Sequence, residues 1–399
     1  MKLTACETFV VANPPPGFGG RYFVFVKLET DSGLVGYGEV YSPALGPAVI
    51  EQAVHDVARR HLIGHDPSRI ELMWRRVYGS GYTLRPDPTL VGVLSGLEMA
   101  CWDIVGKELD RPVHALLGGR VRDRLRAYTY LYPTPEDTAD VYTDADLAAE
   151  RAAEAVASGF TAVKFDPAGP YTVFDGHQPG LDDLRRTEDM VRAVRDAVGD
   201  RADLLIGTHG QFTAAGAIRL ARRIERYDPL WFEEPTQPNE VADMAAVARA
   251  TSIPIATGER LTTMGEFATV VQQRAAAIVQ PNLGRCGGIL TGLKIAAIAE
   301  ANGVQVAPHL YNGPIIGAAN IQLAACIPNF LVLEGIGTWS GFHAELVRGG
   351  IAFDRGYVTV PSGPGLGVEL DEDLARAHPY SDGGRPGDLH LQMGSDPVR

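Results

Sequence analysis

Polar side chains that can hold a metal ion or move a proton recur at the ends of strand-like runs in this sequence. Glu233 and Glu259 are 26 residues apart, and His309 and Glu334 are 25 residues apart. Carboxylates bind hard cations, imidazoles exchange protons near neutral pH, and a lysine stabilises negative charge. Such a ring of groups predicts metal-assisted acid–base catalysis. The residues that end successive runs are Lys164, His209, Glu233, Glu259, Asn282, His309 and Glu334.

The interval between these residues indicates the elements that must position them. It has room for one strand, one helix and two short loops, which is the repeat of a (β/α) barrel with catalytic groups at the carboxyl ends of its strands. Continuous apolar runs such as VQVA and FLVL fit a parallel sheet that is buried on both faces. Helical patterns over 145–158, 181–198 and 213–226 alternate with the runs. We therefore expect an α/β fold built on a (β/α) barrel.

The first 120 residues are organised differently, with strands before helices. Two strand-like runs meet at TDSG (30–33), which predicts a hairpin turn, and helical patterns follow over 47–61, 70–78 and 90–109. We expect an α+β capping domain over 1–120 and the barrel over 121–362. The segment 363–399 is predicted to return to the capping domain, with roughly its last 20 residues loose or packed there.

Length and composition limit the classes of function. The chain has 399 residues, 45% hydrophobic and 21% charged, which suits a barrel with one companion domain. Its net charge of −13 argues against nucleic acid or an anionic membrane as a partner, although a locally positive pocket could take a small anion. The widely spaced Cys6, Cys101, Cys286 and Cys326 predict buried free thiols. Because no signal-peptide pattern is present, we expect a cytoplasmic protein.

Glu233 and Glu259 end adjacent predicted strands and are expected to converge at a solvent-accessible barrel mouth. Their carboxylates suit Mg²⁺, which keeps bound waters and takes anionic oxygens from a substrate. Surface glutamates can also follow strands by chance, but the matched spacing of this pair argues against chance. The two residues are therefore the predicted metal ligands.

Two histidines, His209 and His309, would face the same site. A lone histidine is more often structural, but two at matching strand ends favour acid–base roles. His177 lies in a loop that enters the mouth and ranks below them. Lys164 shares a strand face with Asp166 because strand side chains alternate. Lys164 can hold a substrate carboxylate and can also form an ion pair with Asp166 or a glutamate, and the two roles do not exclude each other.

Longer motifs surround these residues: GLEMACWDIVGKELDRPVHALLGG (96–119), WFEEP, GER, GRCGG (284–288) and PGLGVEL (364–370). With them the sequence resembles the enolase superfamily, in the mandelate racemase-like branch, from residue 1 to about 370. Within that branch, VKFDPAGPY (163–171), THGQF, PH and LEGI look most like gluconate/galactonate-type sugar-acid dehydratases. Mannonate dehydratases are close relatives of that type.

The resemblance assigns a role to each matching residue. Glu233 and Glu259 match the metal ligands of the fourth and fifth barrel strands. His309 matches the general base, and His209 matches the histidine that assists departure of the 3-hydroxyl group. Lys164 matches the first lysine of a KxK pair and is expected to be catalytic.

The resemblance also implies a set of substrate contacts. Glu334 matches the acid beside the substrate carboxylate, and a loop over 14–22, rich in Gly and Pro, resembles a mobile loop that closes over substrate. Arg21, Tyr82 and Arg85 come from the capping domain. The residues predicted to bind substrate are Glu334, Asn282, Arg21, Tyr82, Arg85 and His177.

Three positions depart from the family pattern. The third metal carboxylate is expected at Gly207, so either His209 replaces it as a ligand or water fills the site. The acid that orients the base histidine falls at Asn282, which can hydrogen-bond but cannot stabilise an imidazolium by charge. The second lysine of KxK is Asp166, which disfavours two-base racemisation and supports one-base elimination.

The resemblance implies Mg²⁺-dependent loss of water from an aldonate such as gluconate or galactonate, through an enediolate, to a 2-keto-3-deoxy acid. One alternative is a cycloisomerase that opens an anhydro-sugar acid or lactone through the same enolate. Another is a barrel that binds sugar acids without turning them over. We expect a small acid-sugar substrate as the partner, no nucleic acid or membrane, and a homo-oligomer, either a dimer or larger.

Overall fold

An antiparallel sheet and three helices form the N-terminal part of the chain. The computed structural model describes residues 1–82, 84–169 and 176–381. The turn predicted at 30–33 is confirmed, because it joins two antiparallel strands. The N-terminal elements are β1 (Leu3–Ala12), β2 (Tyr22–Thr30), β3 (Val35–Val40), α1 (Pro47–His61), α2 (Ile70–Gly79) and α3 (Pro88–Glu108), with a 3₁₀ turn at Ser80–Tyr82.

Close packing of β3 against α3 explains two glycines of the cap. A Cβ atom on Gly38 would lie 1.8 Å from the Gly96 carbonyl oxygen, and one on Gly36 would lie 2.2 Å from the Ala100 carbonyl oxygen. Any larger residue at either position would push the strand off the helix. The close approach buries most of α3, which is apolar and long enough to cross a membrane but is 83% buried within the protein, as core helices are.

A row of parallel strands with intervening helices follows the cap. The strands are β4 (Arg124–Tyr130), β5 (Ala162–Phe165), β6 (Asp203–Gly207), β7 (Trp231–Glu233), β8 (Ile255–Thr257), β9 (Ile278–Val279), β10 (Gln305–Val306) and β11 (Leu333–Gly335). The helices are α4 (Val113–Leu116), α5 (Ala145–Ala157), α6 (Leu181–Val198), α7 (Ala214–Ile224), α8 (Val241–Ala250), α9 (Met264–Gln272), α10 (Gly288–Glu300) and α11 (Pro314–Cys326), with 3₁₀ turns at Gly199–Arg201 and Glu225–Tyr227.

The strands form the barrel that the spacing predicts. Hydrogen bonds run in order from β4 to β10, a parallel bridge joins Val306 to Phe330, and β11 pairs with β4. Each strand, or the residue next to it, also contributes one side chain to a single buried cluster inside the ring. These side chains are Tyr128, Ala162, Leu205, Trp231, Ala256, Ile278, Ala307 and Val332. The interior is therefore a packed core, and the carboxyl ends of the strands meet at one mouth.

Buried carboxyl groups of the cap bind the first turns of barrel helices. Glu39 of β3 accepts hydrogen bonds from the N–H groups of Gly313 (2.6 Å) and Ile316 (3.0 Å) at the start of α11. Glu98 of α3 does the same for Ile289 and Leu290 (both 2.8 Å) at the start of α10. Helix N-termini carry unpaired N–H groups and partial positive charge, so these carboxyl groups hold the cap against the barrel.

The C-terminal segment runs back to the cap. The Ala12 N–H group donates to the His378 carbonyl oxygen (2.8 Å), and the Tyr37 hydroxyl donates to Glu372 (2.7 Å). The predicted domain boundaries at 120 and 362 stay predictions, and the tail beyond 381 lies outside the described residues. The remaining elements are α12 (Phe342–Glu345), β12 (Val347–Arg348), β13 (Phe353–Asp354), β14 (Tyr357–Thr359), β15 (Glu369–Leu370) and α13 (Glu372–Ala377).

The cysteines are free thiols, as the sequence predicts. Cys101, Cys286 and Cys326 are buried as predicted, but Cys6 is partly exposed, so the predicted burial is wrong for that residue.

Replacing Glu39 tests how far the cap–barrel junction depends on its carboxyl group. Glu39→Leu leaves the Gly313 and Ile316 N–H groups unpaired in a buried place. We expect it to cost about 2–5 kcal/mol of unfolding free energy, seen as a lower thermal midpoint. Glu39→Gln keeps an acceptor oxygen and should cost less. Equal losses in the two variants would contradict a hydrogen-bonding role.

The pH dependence of the same variants has a defined sign. Burial raises the pKa of Glu39 from 4.5 to about 8, against the opposing effect of the Ile316 and Gly313 N–H groups. A carboxyl group whose pKa is higher in the folded state loses its stabilising contribution as the pH rises from its unfolded pKa to its folded pKa. The wild-type protein should therefore lose stability relative to Glu39→Gln between about pH 5 and about pH 8. A constant difference across that range would contradict the raised pKa.

Candidate active site at the barrel mouth

Four strand ends bring the predicted lysine and glutamates into one buried cluster. The Lys164 ammonium lies 2.5 Å from Glu233 Oε1 and 3.7 Å from Glu334 Oε1. These three side chains are at most 2% exposed, and Glu259 is 8% exposed. The expectation of a solvent-accessible mouth is therefore wrong for both glutamates that were predicted to bind metal. Lys164 pairs with glutamates, and no ion pair with Asp166 forms.

The charges of this cluster are unequal. Burial acts to lower the pKa of Lys164, but the carboxylates of Glu233, Glu334 and Glu259 outweigh burial and raise it, so the lysine stays a cation. Burial raises the pKa of Glu233 to about 8, opposed by Lys164 and reinforced by Glu259 and Glu334. The cluster holds more buried negative charge than its lysine neutralises, so it favours an added cation or proton.

Glu259 and His309 face each other across the mouth. Glu259 Oε2 lies 3.4 Å from His309 Nε2, yet within the described residues this oxygen accepts no hydrogen bond. Burial lowers the pKa of His309, against the opposing effect of Glu259 and Glu334, and thereby favours the neutral imidazole. Burial acts to raise the pKa of Glu259, but the basic groups around it outweigh burial and lower that pKa; in order of effect they are His309, His209, Lys164 and Arg260. Glu259 is thus an ionised carboxylate with one oxygen available.

Asn282 determines which nitrogen of His309 carries the proton. The Gly284 N–H group donates to Asn282 Oδ1 (2.9 Å), which turns the amide NH₂ group toward His309 Nδ1 (2.8 Å) and Asn312 Oδ1 (2.7 Å). Nδ1 is therefore an acceptor, and a neutral imidazole has its proton on Nε2. In the family pattern a carboxylate stands at the position of Asn282. Asn282 differs from that carboxylate in charge and also in the histidine tautomer that it selects.

His209 lies just beyond β6 in the left-handed backbone region, at φ +47°. Its Nδ1 atom is 3.7 Å from Asp166 Oδ2, and its side chain is partly exposed. The Tyr130 hydroxyl donates to both oxygens of Asp166, at 3.0 and 3.1 Å. The structure thus places His209 beside Asp166, at the edge of the buried cluster.

The predicted substrate-binding residues of the cap and loops are spread more widely. The loop over 14–22 lies against the barrel, since the Phe18 ring stacks on Tyr132 at 4.0 Å, and Arg21 at its end is partly buried. His177 is held beside the segment after β6, where its N–H group donates to the Gln211 carbonyl oxygen (3.0 Å). Tyr82 is 94% exposed and Arg85 is also exposed, so the structure does not join them to the cluster.

Two polar residues of the site were missed by sequence reasoning. Gln280 Nε2 donates to Glu233 Oε2 (2.8 Å), and Tyr130 holds Asp166. Gln280 precedes Asn282 by two positions, so the alternation of strand side chains could have placed both on one face. Tyr130 ends β4, and its uncharged side chain gives no acid–base or metal-binding signal in the sequence.

The chemistry of the donor set decides whether these residues fit a divalent cation. Among the described residues, no three His, Cys, Asp or Glu side chains are already grouped as a metal site. Glu233 and Glu259 nevertheless supply buried carboxylates, and Glu259 Oε2 accepts no hydrogen bond within the part of the chain that the structure describes. Hard oxygens with excess negative charge suit Mg²⁺. The residues therefore fit the predicted metal, with Glu233 and Glu259 as the candidate ligands.

Comparison with known proteins places this geometry in a family. Residues 16–118 match the model of the mandelate racemase/muconate lactonizing enzyme N-terminal domain, and residues 147–374 match that of the enolase C-terminal domain-like family. A D-gluconate dehydratase of Thermoproteus tenax is 34% identical over 94% of this chain and 72% of its own length. A D-galactonate dehydratase of Ralstonia nicotianae is 35% identical over 94% of this chain and 93% of its own length.

Solved structures agree with the sequence matches. A mandelate racemase/muconate lactonizing enzyme from Sulfitobacter sp. superposes with a TM-score of 0.96 and is 55% identical, covering 100% of this chain and 99% of that chain. A protein from Labrenzia alexandrii with the same family description has a TM-score of 0.96 and 58% identity, covering 100% of this chain and 99% of that chain.

Asn282→Asp should reverse the tautomer of His309. A carboxylate facing Nδ1 requires a proton there and stabilises the imidazolium, so we expect the pKa of His309 to rise by about 1 to 3 pH units. The measurement is an NMR titration of the imidazole C2 proton in EDTA-treated protein, with His309→Asn to assign the signal. Asn239→Asp adds the same charge at an exposed position and should leave the titration unchanged. An unchanged or lower His309 pKa in Asn282→Asp would contradict the contact with Nδ1.

Proposed function

The chain belongs to the mandelate racemase/muconate lactonizing enzyme family of the enolase superfamily, and we propose that it is a sugar-acid dehydratase. The observation that carries the proposal is the buried set Lys164, Glu259, His309 and Glu334, which joins an anion-binding cation to a proton-transfer group. The dehydratase names of the similar proteins support the same reaction class. Because those names differ in the sugar acid, we propose an aldonate such as gluconate or galactonate and leave its stereochemistry to a screen.

The carboxylate of the substrate is the group that the mouth must bind first. Lys164 is a buried ammonium that can attract it, and Glu334 lies beside Lys164 with Oε2 held by the Leu310 N–H group (2.7 Å). A divalent cation held by Glu233 and Glu259 would neutralise the charge that develops when the carboxylate takes enediolate character. We propose Mg²⁺ as that cation.

Removal of the proton at C2 is assigned to His309. Its Nε2 atom faces the mouth and Glu259, but the neutral imidazole carries its proton there. A base at Nε2 requires Asn282 to turn its oxygen toward Nδ1, which breaks the hydrogen bond from the Gly284 N–H group. The same turn breaks the hydrogen bond from Asn282 Nδ2 to Asn312 Oδ1, so binding of substrate would have to offset the loss of two hydrogen bonds, about 1–3 kcal/mol in total.

Departure of the 3-hydroxyl group is assigned to His209. Its imidazole is partly exposed and lies 3.7 Å from Asp166 Oδ2, at the edge of the cluster, and an imidazolium there could donate a proton to a leaving hydroxide. The enol that remains becomes a 2-keto-3-deoxy acid. Cytoplasmic location and a homo-oligomeric state stay predictions.

A screen of acid sugars tests the proposal directly. The protein is incubated with Mg²⁺ and each acid, and products are measured by mass and by an assay for 2-keto-3-deoxy acids. Loss of one water supports dehydration. Conversion without a change in mass would point to the cycloisomerase alternative. Binding of an acid without conversion would point to the non-catalytic alternative, for which Gly207 and Asn282 are the basis.

Glu259→Gln should abolish turnover without unfolding the protein, because within the described residues Glu259 Oε2 accepts no hydrogen bond and no lysine forms an ion pair with Glu259. Glu233→Gln should abolish turnover too, but it removes the nearest partner of buried Lys164 and should lower the thermal midpoint. Glu300→Gln, at an exposed position, is the matched control. Full activity in EDTA or in Glu259→Gln would rule out the metal-assisted mechanism.

An isotope-exchange experiment should distinguish the roles of the two histidines. His309→Asn should stop both product formation and exchange of the C2 proton with deuterium oxide, with losses of about 10²- to 10⁴-fold. His209→Asn should stop dehydration but leave C2 exchange measurable, since enolisation precedes departure of hydroxide. Exchange that persists in His309→Asn and disappears in His209→Asn would show that the two roles are reversed.

A further inference from the structure

Asp166 and Gly207 are neighbours on adjacent barrel strands. β5 pairs with β6 so that Phe165 is opposite Ile206, and the next pair in that register is Asp166 and Gly207. A Cβ atom built on Gly207 would lie 2.0 Å from Asp166 Oδ1 and 3.1 Å from the Tyr130 hydroxyl. The carboxylate of Asp166 therefore fills the space that a side chain at 207 would occupy, and any residue larger than glycine would displace it.

Among the described residues, the Asp166 carboxylate has a tyrosine and a histidine beside it but no permanent cation; His209 Nδ1 lies 3.7 Å from its Oδ2. Asp166 is 5% exposed, and the Tyr130 hydroxyl donates to both of its oxygens. In residues 1–82, 84–169 and 176–381, no lysine or arginine lies within ion-pair distance of it. Lys164, on the same strand face, pairs with glutamates instead. A buried carboxylate in this position is costly unless a cation joins it.

The two predicted metal ligands lie on the next strands around the mouth. Gly207 pairs with Glu233 in the register of β6 and β7, so the Asp166 carboxylate, at the side-chain position of residue 207, stands next to the Glu233 strand. Glu259 follows β8, which pairs with β7. Glu259 Oε2 is buried and accepts no hydrogen bond from any described residue. This unpaired oxygen indicates, independently of Asp166, that a ligand binds here.

We infer that Asp166 is the third carboxylate of the divalent-cation site, acting with Glu233 and Glu259. The inference rests on the proposed function for the presence of the metal, but it concerns which side chains hold that metal. It explains both departures on these strands together, since the carboxylate absent at Gly207 is supplied by Asp166 from the neighbouring strand. His209 is then not needed as a ligand and remains available for the leaving group.

Binding of Mn²⁺ to EDTA-stripped protein, measured by titration calorimetry, tests the assignment without using activity. Asp166→Asn keeps an acceptor for the Tyr130 hydroxyl but removes the charge. We expect the Kd of this variant for Mn²⁺ to rise at least about tenfold. Loss of even an outer-shell partner lowers the affinity of a metal site by about 10- to 100-fold. His209→Asn should keep the wild-type Kd within about threefold, and so should Asp182→Asn at an exposed position.

A position swap provides the sharper test. Gly207→Asp alone forces two carboxylates into one space and should weaken Mn²⁺ binding or lower the thermal midpoint. The double variant Asp166→Gly/Gly207→Asp moves the carboxylate across one strand and should bind Mn²⁺ more tightly than either single variant. Since the double variant keeps the number of charges and relieves the overlap, it also serves if Asp166→Asn folds poorly.

The Mn²⁺-binding results test the assignment of Asp166 as a metal ligand independently of the proposed dehydration. A wild-type Kd in Asp166→Asn, a loss of binding in His209→Asn only, or no Mn²⁺ binding by the wild-type protein would each overturn it. If Mn²⁺ binding follows the pattern expected here but no sugar acid is dehydrated, the proposed function fails and the ligand assignment stands. If a sugar acid is dehydrated and Asp166→Asn binds Mn²⁺ normally, the ligand assignment fails and the function stands.

Discussion

Burial of negative charge at the barrel mouth is the constraint on which the rest of the site depends. Glu233, Glu259, Glu334 and Asp166 are all buried, and Lys164 is the ammonium that lies among them. Each buried carboxylate costs several kcal/mol unless charge or hydrogen bonds compensate it. The fold meets part of this cost with polar groups from neighbouring strands, including Gln280 for Glu233 and the Leu310 N–H group for Glu334.

The compensation is incomplete in a way that points to a cation. The pKa of Glu233 rises to about 8 because burial and the neighbouring carboxylates outweigh Lys164. Apolar residues in place of such a cluster would make the protein more stable. The presence of the cluster in the interior of the barrel therefore argues for a role in binding and catalysis. The same solution, a buried carboxyl group on N–H donors, holds the cap in place through Glu39 and Glu98. The cap must be held there for the loop over 14–22 to lie against the mouth.

Spacing in the sequence was enough to predict the barrel and the residues at its strand ends. The reason is that the β/α unit has a nearly constant length, so polar residues at its period must meet at one end of the ring. The predicted helix bounds also lie close to the observed ones, because glycines mark the helix ends. The helix predicted over 145–158, for example, is observed over Ala145–Ala157.

Other features depend on register and hydrogen-bond direction, which spacing does not contain. In the sequence, Asp166 indicates only that the second lysine is absent. Its place at the side-chain position of Gly207 follows from the pairing of β5 with β6. The tautomer of His309 follows from the Gly284 N–H group, a backbone donor that no side-chain pattern indicates. Tyr82 was expected at the substrate because it belongs to the cap, but the 3₁₀ turn after α2 leaves it 94% exposed.

Enolisation of a sugar acid is tested most directly by the fate of the hydrogen at C2. The measurement uses the acid identified by the screen, labelled with deuterium at C2, and follows both the rate and the mass of the product. A C2 proton removed by the enzyme predicts a slower reaction of the labelled acid and a 2-keto-3-deoxy product that has lost the deuterium to solvent. A product that forms at the same rate and retains the deuterium would contradict proton removal by His309 and the dehydration that follows from it.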